Sequence, residues 1–460
     1  MSLAMLPDHV HTLVVGAGFG GIGTAATLLR QDPTADVLVL ERGDDVGGTW
    51  RANTYPGAAC DVPSALYSFS FAPEPDWSRA HGTQEEIYAY LRRVARDEGV
   101  TRRTMFGCEL REAQWDAARA VWSVSTSRGD LTADVLVAAT GALSTPTYPK
   151  VPGLELFRGK TFHSAEWDHD HDLTGERVAV IGTGASAIQF VPAIVDRVAH
   201  LTLFQRTASW VMPKHDPAIA RSVRSLYRRF PFTQKLMRGA VYGQKEIYVV
   251  GMTKPFARKY LLPLFERRAR QVLRKQVQDP TLRERLTPDF AITCKRILLS
   301  NEWFPTITRS DVSVVSSGLT AVTENGVVDK DGQSLSFELL YESGSPTADQ
   351  LVAQLFLDQH LMHPLGQSAP GELLEREVLV RGVVHGGLRA PMVLQPFARR
   401  PSGRRPPSDR SRPPRPRSRG RPDAPGSTSA SPRRTWRRGR SSRRRRSSRA
   451  AGRRWRCRAS

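Results

Sequence analysis

Apolar positions near the start of the chain form two short runs around a longer stretch of small and apolar residues at helical spacing. Leu13 to Val15 reads as a buried strand, Ile22 to Leu29 as a packed helix, and "ADVLVLERG" as a second strand that ends at Glu41. The same order returns later, with Val178 to Ile181 as a strand, a small and apolar helix after it, and "HLTLFQRT" as the next strand. A further apolar run, Val135 to Ala139, stops at Thr140-Gly141. Between Trp210 and Ile292 apolar residues fall at spacings of three and four among many bases, which predicts helices. The stretch "VSVVSSGLTAVTENGVVDKDGQSLSFELLY" reads as short strands turned at Asn325-Gly326 and Asp331-Gly332.

Each strand–helix junction carries a glycine-rich turn. Gly16, Gly18 and Gly21 fill G-x-G-x-x-G after the first strand. In that pattern the first glycine permits the tight turn, the second lets the backbone approach a pyrophosphate, and the third brings helix against strand with its N-terminus facing the anion. Glu41, 20 residues after Gly21, is placed to accept hydrogen bonds from a ribose hydroxyl. In the second unit Gly182 and Gly184 are the first two glycines, and Ala187 is a permitted small residue at the third position. Here Gln205 stands where Glu41 stood, followed by Arg206. Without the acid a 2′-phosphate is not repelled, and a guanidinium can bind it bidentately. The first site therefore suits FAD and the second NADPH; a solvated surface charge is the alternative for Arg206.

These signals predict an α/β fold with two Rossmann-like dinucleotide-binding domains, a helical insertion and a disordered basic tail. The expected boundaries are 1–150 for the FAD domain, 151–212 and 292–345 for the two parts of the NADP domain, and 213–291 for the insertion. An atypical segment at 346–398 and a tail at 399–460 follow. Four cysteines, at 60, 108, 294 and 457, form neither close pairs nor a C-x-x-C, so no disulfide framework or dithiol centre is expected, which fits a reducing cytoplasm. The N-terminus lacks a basic region followed by a long apolar stretch, and no run of about 18 apolar residues occurs, so neither an export signal nor a membrane span is expected. No Cys/His spacing of metal-ligand type and no Ser/His/Asp constellation is present, so no metal is expected.

The net charge of +22 resembles a nucleic-acid binder until it is located. From Arg399 to Ser460 there are 24 Arg, no Lys and two acids, Asp409 and Asp423, so the tail carries the whole excess and residues 1–398 are neutral. Phosphate-steering patches are displayed on folded domains, whereas this tail has almost nothing apolar to bury. No specific nucleic acid is expected as a partner.

Between the two glycine turns lies "FRGKTFHSAEW", in which Phe157, Gly159, His163 and Trp167 fill F-x-G-x-x-x-H-x-x-x-W. Phe157 and Trp167 offer buried area, Gly159 a bend and His163 a polar contact. Flanked by the two turns, the pattern resembles the fingerprint of the Baeyer–Villiger monooxygenases, flavoenzymes that insert oxygen beside a ketone carbonyl. The resemblance covers residues 10–345 and includes "ERGDDVGGTWRANTYPGAACDVPSALYSFSF", "FQRTASWVMP" and "CKRILLS". It implies that Gly47, Gly48, Thr49 and Trp50 form a flavin-binding turn and that Asp61 is an active-site carboxylate. It further implies that Lys295 approaches the NADPH 2′-phosphate, that Arg296 reaches the flavin, and that the fingerprint serves movement at the domain junction. The implied reaction passes hydride from NADPH to FAD, forms a C4a-peroxide with O2 and attacks a small ketone to give an ester or lactone. Such chemistry needs a fixed cation beside an oxyanion, the task of Arg296, with Asp61 orienting it. A flavin monooxygenase acting on nitrogen or sulfur shares both turns but typically lacks the terminal Trp and the Asp/Arg pair. A nucleotide-binding flavoprotein without catalysis is the remaining alternative.

Beyond residue 345 the family pattern fades: Gly344 is kept but the Thr before it is lost, and no closing glycine-proline-asparagine segment follows. Arg, Pro, Ser and Gly make up 50 of the last 62 residues, the mixture expected when GC-rich codons are read out of frame. A shifted reading frame is therefore the expectation, with a selected basic tail as the alternative. Translating the other two frames of the coding DNA downstream of codon 340 should yield a glycine-rich closing segment and a normal stop. If neither frame does, the tail is selected sequence.

Overall fold

Strand β1 (His9–Val15) carries the buried run expected of a strand covered on both faces, and helix α1 (Phe19–Gln31) follows it directly. The computed structural model describes residues 5–342 apart from 142, 144, 145, 147, 149, 150 and 338, so the segments at 346–398 and 399–460 lie outside the described residues. After α1 come β2 (Val37–Glu41), the short α2 (Thr49–Ala52), α3 (Gln84–Asp97), β3 (Thr104–Phe106), β4 (Leu110–Asp116), β5 (Val121–Thr126) and β6 (Gly129–Ala138). They form one six-stranded sheet in the order β3-β2-β1-β6-β5-β4. The pairs β1–β2, β2–β3 and β1–β6 are parallel, whereas β4–β5–β6 is an antiparallel meander that the apolar pattern did not announce.

Alternation along the strands divides the first core in two. Val14, Val37 and Val39 face α1 and α3, while Leu13, Val15, Leu38 and Leu40 face the opposite side with Met105 and Leu136. Helix α3 starts at a capping box in which Thr83 accepts from the Glu86 amide and Glu86 accepts from the Thr83 amide.

The second unit comprises β7 (Lys160–His163), β8 (Arg177–Ile181), α4 (Ala187–Ile194), β9 (His200–Phe204) and β10 (Val211–Met212). Four helices follow, α5 (Arg221–Arg229), α6 (Pro231–Thr253), α7 (Pro255–Gln276) and α8 (Pro280–Arg285), in the stretch where helical spacing predicts them. The chain then returns through β11 (Leu298–Leu299), α9 (Trp303–Ile307) and β12 (Val312–Val315) to β13 (Leu319–Thr323), β14 (Gly326–Asp329), β15 (Ser334–Ser336) and β16 (Leu339–Glu342). A parallel sheet of order β12-β9-β8-β16-β7 is covered by α4, α7 and α9 on one face. The antiparallel β13-β14-β15 packs beneath the other; its second turn contains the expected Asp331-Gly332, whereas its first turn is Glu324-Asn325, one residue before the expected dipeptide, with Gly326 already paired to Thr323 in β14. The two short strands β10 and β11 pair in parallel and bring Arg206–Trp210 and Lys295–Ile297 to the same edge.

Helix α6 is tied to the first unit through Gln234, which donates to Glu74 O (2.6 Å), and Arg238, which donates to Ala65 O (3.0 Å) and Ser68 O (3.1 Å). No helix among the described residues is long and apolar enough to cross a membrane. Cys60 and Cys108 are free and buried, and Cys457 lies outside the described residues.

Candidate active site

The parallel register places Val15 beside Leu40, so the turn after β1 opens next to the end of β2. There the Gly16 amide donates to Leu40 O (2.7 Å), and in the second unit the Gly182 amide donates to Phe204 O (2.9 Å). The two turns are thus closed by the same bond. A Cβ on Gly21 would lie 1.8 Å from Gly16 O, so helix α1 can approach β1 only because that position is bare. A Cβ on Gly48 would come 2.9 Å from the Gly18 Cα, which shows that the two glycine turns of the first unit nearly touch. The N-terminus of α1 begins at Gly18 without a side-chain cap, leaving first-turn amides for an anion.

Glu41 is buried, and its carboxylate accepts from the amides of Ala17 (2.8 Å) and Gly43 (2.9 Å). It lies across the first turn with acceptor sites to spare, as a ribose contact requires. Thr49 and Trp50 open α2; the Trp50 indole donates to Tyr67 OH (2.9 Å). These residues fit an extended dinucleotide lying over bare backbone.

In the second unit Gly184 O accepts from the Ile188 amide (3.2 Å), and fully buried Ala187 opens α4, whose N-cap Ser186 makes no side-chain cap bond. Gln205 is buried, and its Nε2 donates to Arg285 O (2.9 Å) at the end of α8. Arg206 is exposed and has no ion pair among the described residues, and exposed Lys295 lies over the Phe290 ring at 5.0 Å.

Asp61 and Arg296, 235 residues apart, meet. The Arg296 Nε and Nη2 both donate to Asp61 Oδ2, at 3.1 and 2.5 Å, with the side chains 31% and 22% exposed for Arg296 and Asp61. Each partner is fixed by backbone pairing. The Asp61 segment runs against 80–84 through Cys60 N to Gly82 O (2.9 Å), Ser64 N to Ala80 O (2.7 Å) and Gln84 N to Ala58 O (2.9 Å). Arg296 stands just before β11, held to β10 by the Leu298 amide on Trp210 O (2.8 Å).

The fingerprint residues are spread over both faces of the second sheet. Phe157 packs with the Val322, Val327 and Phe337 cluster, whereas the Trp167 ring stands 5.5 Å from Phe190 and 5.6 Å from Phe162. Gly159 is not the left-handed position; that falls at Gly153 (φ 85°). His163, at the end of β7, accepts from the Ala165 amide through Nδ1 (3.0 Å). A cavity of about 360 Å³ is lined by Trp167 and by Pro56 of the first unit, and the Thr54 hydroxyl bonds His169 Nε2 beside it (2.8 Å). The end of the fingerprint thus meets a loop of the first unit.

Two residues that the motifs did not single out, Tyr55 and Gln189, join this region. The Tyr55 hydroxyl donates to Gln189 Oε1 (3.0 Å), and burial pushes the Tyr55 phenol above its ordinary pKa. The available signal was a lone glutamine in the apolar helix "AIQFVPAI".

Two nucleotide turns of Rossmann type, with an arginine–carboxylate pair joining their two units, define an oxidoreductase fold that takes two dinucleotides. The family model described as pyridine nucleotide-disulphide oxidoreductase matches residues 13–230. A Baeyer-Villiger monooxygenase of Streptomyces coelicolor is 49% identical over 348 residues, covering 75% of this chain and 66% of the relative. Another, of Pseudomonas aeruginosa, is 44% identical over 345 residues, covering 75% and 65%. Among solved structures, an oxidized steroid monooxygenase bound to NADP is 31% identical with a TM-score of 0.64, over 73% of this chain and 71% of that one. An open crystal structure of cyclohexanone monooxygenase is 26% identical with a TM-score of 0.65, over 74% of each chain. The chain belongs to the Baeyer–Villiger monooxygenase family. It spans just under two thirds of the length of those two curated relatives.

Burial holds the His163 imidazole below its ordinary pKa, against an opposing pull from Glu166. A histidine kept neutral in the fold binds fewer protons than it does unfolded, so its contribution is present above about pH 6.5 and lost as pH falls below it. Denaturant unfolding at pH 5 and 7.5 should therefore show a larger gain of stability with pH for the unaltered protein than for His163→Gln. Equal gains would remove His163 from the pH dependence.

Proposed function

We propose that the chain is an FAD- and NADPH-dependent monooxygenase that inserts one oxygen atom of O2 beside the carbonyl of a small ketone, giving an ester or lactone. The observation that carries this reading is the Asp61–Arg296 pair, assembled from distant segments of the two units. FAD is assigned to Gly16, Gly18, Gly21, Glu41, Gly48, Thr49 and Trp50, and NADPH to Gly182, Gly184, Ala187, Arg206 and Lys295, with Gln205 leaving that strand end free of an acid. The corresponding domains are 1–150 for FAD and 151–212 with 292–345 for NADP, interrupted by the helices of 213–291. FAD, when bound, supplies reactivity toward O2, and NADPH supplies the hydride that reduces it.

The protein's own part is positioning and charge. Arg296 cannot be deprotonated in a protein, so it offers a permanent cation to an oxyanion that develops on the substrate carbonyl. Asp61 accepts both of its donors on one oxygen and so fixes the plane of the guanidinium. The likeness to a steroid monooxygenase and a cyclohexanone monooxygenase supports a ketone as the substrate class. Nitrogen or sulfur oxygenation has less support, because Trp167 completes the fingerprint and the acid–base pair is present.

With FAD retained, cyclic or aryl ketones should accelerate NADPH consumption and give ester; flavin bleaching without ketone-dependent consumption would leave only a nucleotide-binding protein. NADPH should be favoured over NADH by at least about tenfold in catalytic efficiency, since each charge-assisted phosphate contact contributes roughly 1.5 to 3 kcal/mol. Equal efficiencies would refute the assignment of Arg206 and Lys295. Arg296→Ala should leave flavin reduction largely intact and lower ester formation by about 10² to 10³, the usual loss on removing one preorganised oxyanion partner. Asp61→Ala should act in the same direction but less severely. An unchanged yield of ester would take Arg296 out of the mechanism.

A further inference from the structure

We propose that Gln189 is a positioning residue that couples the second nucleotide site to the Asp61–Arg296 pair. The inference rests on the assignment of the two nucleotide sites given above and adds a mechanical link between them.

Gln189 lies within the first turn of α4, directly after Ser186 and Ala187, where a dinucleotide phosphate would meet the helix N-terminus. Its side chain leaves the second unit altogether. Oε1 accepts from Tyr55 OH (3.0 Å) and the Ala59 amide (3.4 Å), and Nε2 donates to Ala59 O (2.9 Å). The Tyr55 ring also stands edge-on to Phe190 at 6.2 Å. The backbone contact is equally close: a Cβ on Gly57 (φ 79°) would lie 2.8 Å from Gln189 O. Residues 55–59 are therefore seated on the first turns of α4. Two residues further along, Asp61 holds Arg296.

A displacement of α4 on filling the second site is passed through the carboxamide to the 55–61 loop. From there it reaches the guanidinium through the carboxylate. Gln189 touches neither reacting atom nor cofactor in this scheme; it sets where Arg296 points. Leucine has a similar volume and no polar atoms, so Gln189→Leu removes the three bonds without an overpacking penalty.

The test uses the full chain with FAD. NADP+ binding is titrated, and amide hydrogen exchange of residues 55–61 is followed with and without NADP+. In the unaltered protein NADP+ should slow exchange of this segment by at least about threefold, as a more tightly held loop opens less often. In Gln189→Leu that slowing should vanish while the NADP+ Kd changes by less than about threefold, since phosphate contacts at the helix N-terminus remain. Ester formed per NADPH oxidised should fall by about tenfold, as expected for a misplaced catalytic group. Tyr55→Phe, which removes one of the three bonds and keeps the ring, should give a partial loss of the same kind, and it stands in if Gln189→Leu does not fold. NADP+ binding that protects 55–61 equally in these variants and in the unaltered protein would overturn the coupling alone. Failure of the unaltered protein to bind NADP+ would overturn the assignment of the second site, and this proposal with it.

Discussion

The contact between Asp61 and Arg296 is the interaction on which the candidate site depends. Each side is tethered to a different unit: Asp61 through the backbone pairing of 58–64 with 80–84, Arg296 through the short β10–β11 ladder. A cation and a carboxylate that are each about a quarter exposed gain more from one another than a solvated pair does, yet still see water. The pair is thus a meeting point rather than a pillar. The aromatic and aliphatic clusters on both sheets hold the units, and the pair records whether they are in register.

Arrangement of the second unit follows from its connection order. The helices α5 to α8 intervene between β10 and β11, so the chain leaves the nucleotide fold at Met212 and re-enters it at Leu298. That detour is what lets Arg296 arrive from a distant part of the sequence at the loop carrying Asp61. It also lets α6 reach the first unit, where Arg238 finds three backbone carbonyls, those of Ala65, Leu66 and Ser68.

Much of this architecture was legible in the sequence because a strand, a glycine turn and a helix leave a local signature. The turns at Gly16 and Gly182, the strand ending at Glu41 and the hairpin at Asp331-Gly332 all depend on residues within a few positions of one another. The meeting of Asp61 with Arg296 came from family resemblance, since no local rule joins residues so far apart. Where a partner is distant and family likeness gives no guidance, the sequence is silent. Gln205 was placed by its alignment with Glu41, but its amide is committed to Arg285 O, 80 residues along. The Tyr55–Gln189 bond was invisible for the same reason. The antiparallel β4 and β5 are half-exposed at an edge of the sheet, with polar residues interrupting their apolar pattern.

The near contact of Gly18 with Gly48 carries a consequence for how this protein can vary. Where two stretches of main chain lie this close, recognition of anything between or above them falls to amides that every residue possesses. The flanking side chains are then released from the task of contacting the phosphates. Drift in the neighbouring positions is tolerable so long as those two stay bare, and a single methyl group at Gly48 is less tolerable than many larger changes around it.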